Sequence, residues 1–307
     1  MMSTQIALLR RELWEHRAIY VTPLVIGLII SLMSVTGQVA ISAFDEAVNV
    51  AILGASNLGE HERASAITVL MVSVSTGFVL AMWVLTIFYT LDSLYAERKD
   101  RSILFWRSMP VTDAETVLSK LITAVVVIPL VTFAILAVTH LVVLTISSIW
   151  VGIRGANAGH LIWQAAPLFD NWAATLVFLL ALPLWLSPFI GWFLLVSAYA
   201  KRSPLLLAFL PIIVLPMLEH ILVGTSMFKD AIFVRSVKMP LFKGIDSIGL
   251  VLDEAKDLHE LGKSGLSLWS AVDLSGFLSS PGLWLGLVVC ALFTTAAIYV
   301  RRFRDDS

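Results

Sequence analysis

Few side chains in this sequence are placed to bind phosphate, metal or a reacting atom. Gly54 to Glu60 reads GASNLGE, with two glycines at the spacing of a phosphate-binding loop, but Glu60 stands where such a loop needs lysine. A carboxylate there repels phosphate, so the match fails. The pairs His61–Glu62 and His259–Glu260 lack the second histidine of a zinc-protease helix. Cys290 is the only cysteine and has no polar neighbour to activate it, which excludes an intramolecular disulfide and a thiolate metal cluster. No catalytic constellation emerges. Three ionisable residues stand out because they interrupt apolar runs: His140, Glu219 and His220. At membrane depth such residues are candidates for a transport pathway. Each also has a plainer reading, a hydrogen bond to a neighbouring helix for His140 and a cap at the end of an apolar run for Glu219.

These residues sit in a chain that is 58% hydrophobic and 14% charged, with a mean hydropathy of +0.89. That is more apolar surface than a soluble core of this size can hide. The expected fold class is an all-α membrane protein of six transmembrane helices, a single domain over 1–307, with an N-terminal interfacial amphipathic helix and a small external subdomain between spans five and six. A net charge of -1 argues against nucleic acid as a partner.

Residues 1–17 place Ile6, Leu9 and Leu13 at helical spacing beside Trp14, with Arg10, Arg11 and Arg17, the pattern of a helix lying in the headgroup layer. A signal peptide is the weaker alternative, because the apolar run that follows is longer than a typical signal core. Apolar runs predict spans at about 18–39, 64–91, 121–150, 171–200, 203–228 and 281–300. Pro129 predicts a kink in the third, and Pro183 and Pro188 interrupt the fourth. The stretch of about 229–273 has mixed charge and weak amphipathicity, and reads as the external subdomain. Gly282 and Gly286 have a spacing that brings helices close.

Lysine and arginine distribute unevenly about the short loops. Thirteen fall in the N-terminal tail, the 92–120 connector, the 201–202 turn and the C-terminal tail, against Arg63 and Arg154 alone in the two short loops on the other side. That asymmetry predicts cytoplasmic termini.

The connector 92–120, DSLYAERKDRSILFWRSMPVTDAETVLSK, mixes Glu97, Arg98, Lys99, Asp100 and Arg101 with Phe105 and Trp106. One wet face and one apolar face suit a docking element, with Phe105 and Trp106 as anchors and the charges at a rim. The competing reading buries both aromatics against the protein's own spans and leaves the charges solvated.

This connector resembles that of the membrane-spanning permeases of the ABC type 2 exporter family. There, an acid is followed by three residues, Gly-Thr, an apolar stretch, Pro, a small or apolar residue, Ser or Thr, and a Lys ten residues after the Pro. Glu97, Ser102, Ile103, Pro110, Val111, Thr112 and Lys120 fall on those positions, while Arg101 stands where the family commonly has Gly. The resemblance implies a bacterial inner-membrane permease working as a homodimer. It would dock a separate ATP-binding cassette ATPase through Glu97, Arg98, Lys99, Asp100, Arg101, Ser102, Phe105 and Trp106. It also implies no cofactor and no enzymatic activity in this chain, ATP and magnesium being bound by the partner. The alternative of a different class is a membrane-embedded sensor or immunity subunit that docks a partner and transports nothing.

Overall fold

The structure is a computed structural model that describes residues 2–42, 52, 54–100, 111–242 and 267–303. Those residues are helical apart from their turns and a single antiparallel bridge between Phe242 and Val272. In chain order the helices are α1 (Met2–Glu15), α2 (Ala18–Ser42), α3 (Glu60–Lys99), α4 (Asp113–Ile122), α5 (Ile128–Ile153), α6 (Leu168–Trp185), α7 (Ser187–Tyr199), α8 (Pro204–Val223), α9 (Met227–Val237), α10 (Leu274–Ser279) and α11 (Pro281–Phe303). Among the described residues, six apolar segments are long enough to cross a bilayer: Ala18–Gln38, Glu60–Lys99, Asp113–Ile153, Leu168–Trp185, Pro204–Val223 and Pro281–Phe303.

Several boundaries differ from those expected, each for a local reason. Helix α3 runs through Lys99, and α4 begins at Asp113, so both ends of the expected 92–120 connector are helical continuations of the spans. The third span is not simply kinked at Pro129. It passes through a π-helical turn, Thr123–Val127, in which the Ile128 amide reaches back to the Thr123 carbonyl. Because Pro129 has no amide to continue the α-helical ladder, the wider turn absorbs the mismatch just before it. The fourth span, expected over 171–200, is two helices, α6 and α7, broken at Leu186 between Pro183 and Pro188. The fifth, expected through Phe228, stops at Val223 because Gly224 takes a left-handed conformation with φ 71° and closes the helix end.

The core lies where α3, α5, α6, α7 and α11 meet, around Met82, Ile128, Leu179, Ile190 and Leu283. Helix α7 packs along α11 at very short range. A Cβ on Gly191 would lie 3.0 Å from both the Cα and the carbonyl oxygen of Cys290. Gly191, rather than the Gly282 and Gly286 pair, therefore permits close backbone approach. Across the end of the bundle away from the chain termini, Leu241, Phe242, Leu268 and Phe277 join the same core. Leu241, Phe242 and Leu268 belong to the expected external subdomain of about 229–273, of which 229–242, including most of α9, and 267–273 are described; its residues 243–266 lie outside the described residues.

Substituting Gly191→Val forces α7 from α11, because the opposing atoms are backbone and cannot rotate away. The expected loss is about 1–3 kcal/mol, visible as a lowered thermal midpoint of the detergent-solubilised protein, while Gly37→Val, at a position with open space, leaves the midpoint within error.

Candidate functional site

Charged side chains converge at the end of the bundle that carries α1, the C-terminal end of α3, the start of α4 and the end of α11. Glu97 of α3 lies at the centre. Its Oε1 accepts from Arg11 Nη2 of α1 and from Lys120 Nζ of α4, both at 3.1 Å, and its Oε2 accepts from Arg301 Nη1 of α11. Arg301 Nε also donates to Asp113 Oδ1 at 2.9 Å. Lys120 Nζ donates to Glu12 Oε1 at 2.9 Å, and Glu12 Oε2 accepts from the Tyr89 hydroxyl at 2.8 Å. Arg11, Lys120 and Arg301 thus face Glu12, Glu97 and Asp113, a formally neutral set.

Burial makes this cluster consequential. Glu12 and Lys120 are 0% exposed and Glu97 and Arg301 5%. Ions taken from water must recover several kcal/mol each through close partners, and here every one named has them. The sequence sets the geometry up. Glu97, Asp113, Lys120 and Arg301 all sit within a turn or two of a helix end, where spans leave the hydrocarbon. A capping box, with Thr112 Oγ1 accepting from the Glu115 amide at 3.2 Å and Glu115 Oε2 accepting from the Thr112 amide at 2.9 Å, starts α4 at the register that turns Lys120 inward.

Around this centre, Arg11 also pairs with Glu15 at 2.8 Å. Burial opposes the Arg11 charge, but Glu15 and Glu97 outweigh it and hold its pKa above the ordinary value. His16 lies 3.7 Å from Glu12 and packs edge-on against Tyr89 at 4.9 Å between ring centroids. Burial lowers the His16 pKa, Lys120 adds to the effect, and Glu12, Asp92 and Glu15 oppose it.

The residues expected at a docking rim divide into three groups. Glu97 and Arg98 face inward. Arg98 Nη2 donates to the carbonyls of Ser197 and, at 3.0 Å, of Ala200, a cation on the last turn of α7 where the helix dipole favours it. Both bind the protein's own helices. Lys99 and Asp100 are exposed at the end of α3. Arg101, Ser102, Phe105 and Trp106 lie outside the described residues. A groove of about 360 Å³, lined by Thr112, Asp113, Arg301 and Arg302, opens beside the start of α4.

The three expected pathway residues are apart from this cluster. His140 is 1% exposed, its Nε2 lies 3.0 Å from the Met71 carbonyl, and its Nδ1 accepts from Trp172 Nε1 at 3.2 Å. It braces α5 to α3 and α6, as the packing alternative expects. Glu219 Oε1 accepts from Thr225 Oγ1 at 2.6 Å and from the Met227 amide at 2.8 Å, and Oε2 from the Phe228 amide at 2.8 Å. A carboxylate on the first amides of α9 is a helix cap. His220 is exposed beside it.

Sequence reading did not single out Glu12, Asp113 or Arg301. The available signal was an acid with flanking arginine in α1 and charges at the two ends of long apolar runs, but nothing in one chain's pattern pairs residues 204 positions apart such as Glu97 and Arg301.

These elements define a polytopic membrane protein, helical over its described residues, with a buried ionic junction at one end of its bundle. No protein-family model, no curated protein and no solved structure matches the chain.

Three predictions test the junction. Lys120→Met leaves Glu12 and Glu97 short of a partner and costs about 3–5 kcal/mol. The double variant Glu12→Gln with Lys120→Gln costs less than the sum of its parts, as a double-mutant cycle on thermal or denaturant unfolding reads. For His16 the folded pKa is depressed, so the unfolded chain binds the proton first. Its stabilising contribution is complete above about pH 6.5, the ordinary histidine value, and is lost as the pH falls below it. Between pH 7.5 and 5.5 the wild type therefore loses more of its thermal midpoint than His16→Gln does.

Proposed function

We propose that the chain is the permease subunit of a bacterial ATP-binding cassette exporter, a homodimer in the inner membrane with cytoplasmic termini, driven by a separate ATPase that binds the ATP and magnesium. The observation that carries this reading is the attachment of segment 101–110 at both flanks. Glu97 and Arg98 on one side, and Asp113 and Lys120 on the other, tie it to α1, to α7 and to the end of α11. A force on that segment has a stiff, ion-paired route into at least four helices. Such a route is what a machine needs when its fuel is consumed on another chain.

The resemblance at Glu97, Ser102, Ile103, Pro110, Val111, Thr112 and Lys120 points the same way, and three of its positions acquire a physical role, Thr112 as the cap of α4. Glu97 and Lys120 pair across the junction at 3.1 Å. In this reading Phe105 and Trp106 seat in the ATPase, and Lys99, Asp100, Arg101 and Ser102 dock around them. The bundle walls are apolar and aromatic, which favours an amphipathic or lipophilic cargo over a free ion.

Purification from the native membrane in mild detergent is expected to bring down a stoichiometric ATPase and ATP hydrolysis. Phe105→Ala with Trp106→Ala is expected to weaken that association by at least about 2 kcal/mol, roughly thirty-fold, with the permease's thermal midpoint unchanged. A folded permease isolated with no ATPase and no hydrolysis would overturn the exporter and favour a sensor or immunity subunit.

A further inference from the structure

A second feature lies away from the junction. Helices α7, α8, α9 and α11, with Trp185 of α6, line an open cleft of about 630 Å³, within the range of small-molecule sites. Its walls include Phe189, Trp192, Ile212, Leu215 and Phe293, and among its lining residues Arg235 of α9 is the one that carries charge. Arg235 Nη1 donates to the Gly282 carbonyl at 2.6 Å, and the guanidinium lies 4.1 Å over the Trp185 ring. Its Nε and Nη2 are buried and have no hydrogen-bond partner.

Two glycines make room for this side chain. A Cβ on Gly286 would fall 1.7 Å from Arg235 Nη2, and one on Gly282 would meet Trp185 at 3.1 Å and Arg235 Nη1 at 3.7 Å. The small-residue pair on α11 is thus a niche for a guanidinium, not a helix-packing face. Burial lowers the pKa of Arg235, yet arginine keeps its proton in proteins. The result is a half-buried cation beside apolar walls, with two buried donors that no protein group satisfies.

We infer that this cavity is a binding site for an anionic single-chain amphiphile, its carboxylate or phosphate on Arg235, whose guanidinium turns out of the Gly282–Gly286 niche to present its Nε and Nη2 donors, and its hydrocarbon along α11. The fork of two adjacent N–H donors suits either headgroup. From Gly282 to Phe293 the cavity wall extends about 16 Å at helical rise, space for a chain that Phe189, Trp192 and Ile212 would strip from water. A bare anion would leave those walls empty, and a pure hydrocarbon would leave Arg235 unpaired. Helix α8, which has only Ala208 buried, gives the chamber a lateral side toward lipid. The site rests on this geometry alone and is independent of whether an ATPase drives the chain.

Native mass spectrometry of the full-length protein in a non-ionic detergent tests it with three probes that share one acyl chain: oleate, oleoyl lysophosphatidate and monoolein. The expected result is one oleate or lysophosphatidate per chain, bound at least ten-fold more tightly than monoolein. Arg235→Met should abolish the preference for anions, Arg235→Lys should keep part of it, and Ile212→Trp should weaken all three probes by filling the chamber. The tighter of the two anions identifies the headgroup class. Equal binding of monoolein and the anions by wild-type protein overturns the inference, as does an anion preference that survives in Arg235→Met. So does a disulfide-linked dimer formed through Leu215→Cys in the membrane, which would place a second copy in the cavity. Should Arg235→Met fail to fold, the wild-type comparison of the three probes and the Ile212→Trp variant still decide.

Discussion

Everything at the termini end of this protein depends on keeping Glu97 charged and satisfied inside the bundle. One carboxylate accepts from three cations on three different helices, and α3 reaches α1, α4 and α11 through it. Apolar contacts alone would hold these helices together, but hydrocarbon surfaces slide at little cost. An ion pair with defined partners does not, because each displacement leaves a charge without its counter-ion in a low-dielectric site. Charge therefore fixes the relative register of helices that lipid would otherwise leave free.

The junction also explains the form of α1. Its apolar residues do not share one inward face: Leu8 is buried, whereas Ile6 and Trp14 are exposed. The most buried residue of the helix that is polar is Glu12, held by Lys120 and Tyr89. The helix is docked by charge as much as by hydrophobicity, which an amphipathicity argument built on Ile6, Leu9 and Leu13 does not capture.

That contrast marks how much was legible beforehand. The six spans follow from hydropathy because a bilayer imposes length and apolarity directly on the local sequence. The prolines at 129, 183 and 188 announced irregularities, since a missing amide is a local property, although the form of each had to come from packing. Glu219 as a cap and His140 as a brace were available as the plainer alternatives. The junction was not legible, because burial of Glu12 or Arg301 is decided by residues far away in the chain. The Arg235 niche was half visible: Gly282 and Gly286 stood out, but what occupies the space they leave is set by a helix some fifty residues earlier.

Helix α3 is unbroken over its 40 residues, about 60 Å at helical rise and twice the hydrocarbon thickness of a bilayer. A rod that long behaves as a lever with the membrane as its fulcrum. A tilt of 5° within the lipid swings an end some 30 Å from the pivot by roughly 2.6 Å, close to the length of one hydrogen bond. Glu97 rides near that end. The ionic junction is thus placed where a rotation too small to disturb packing in the mid-membrane becomes a whole bond's displacement.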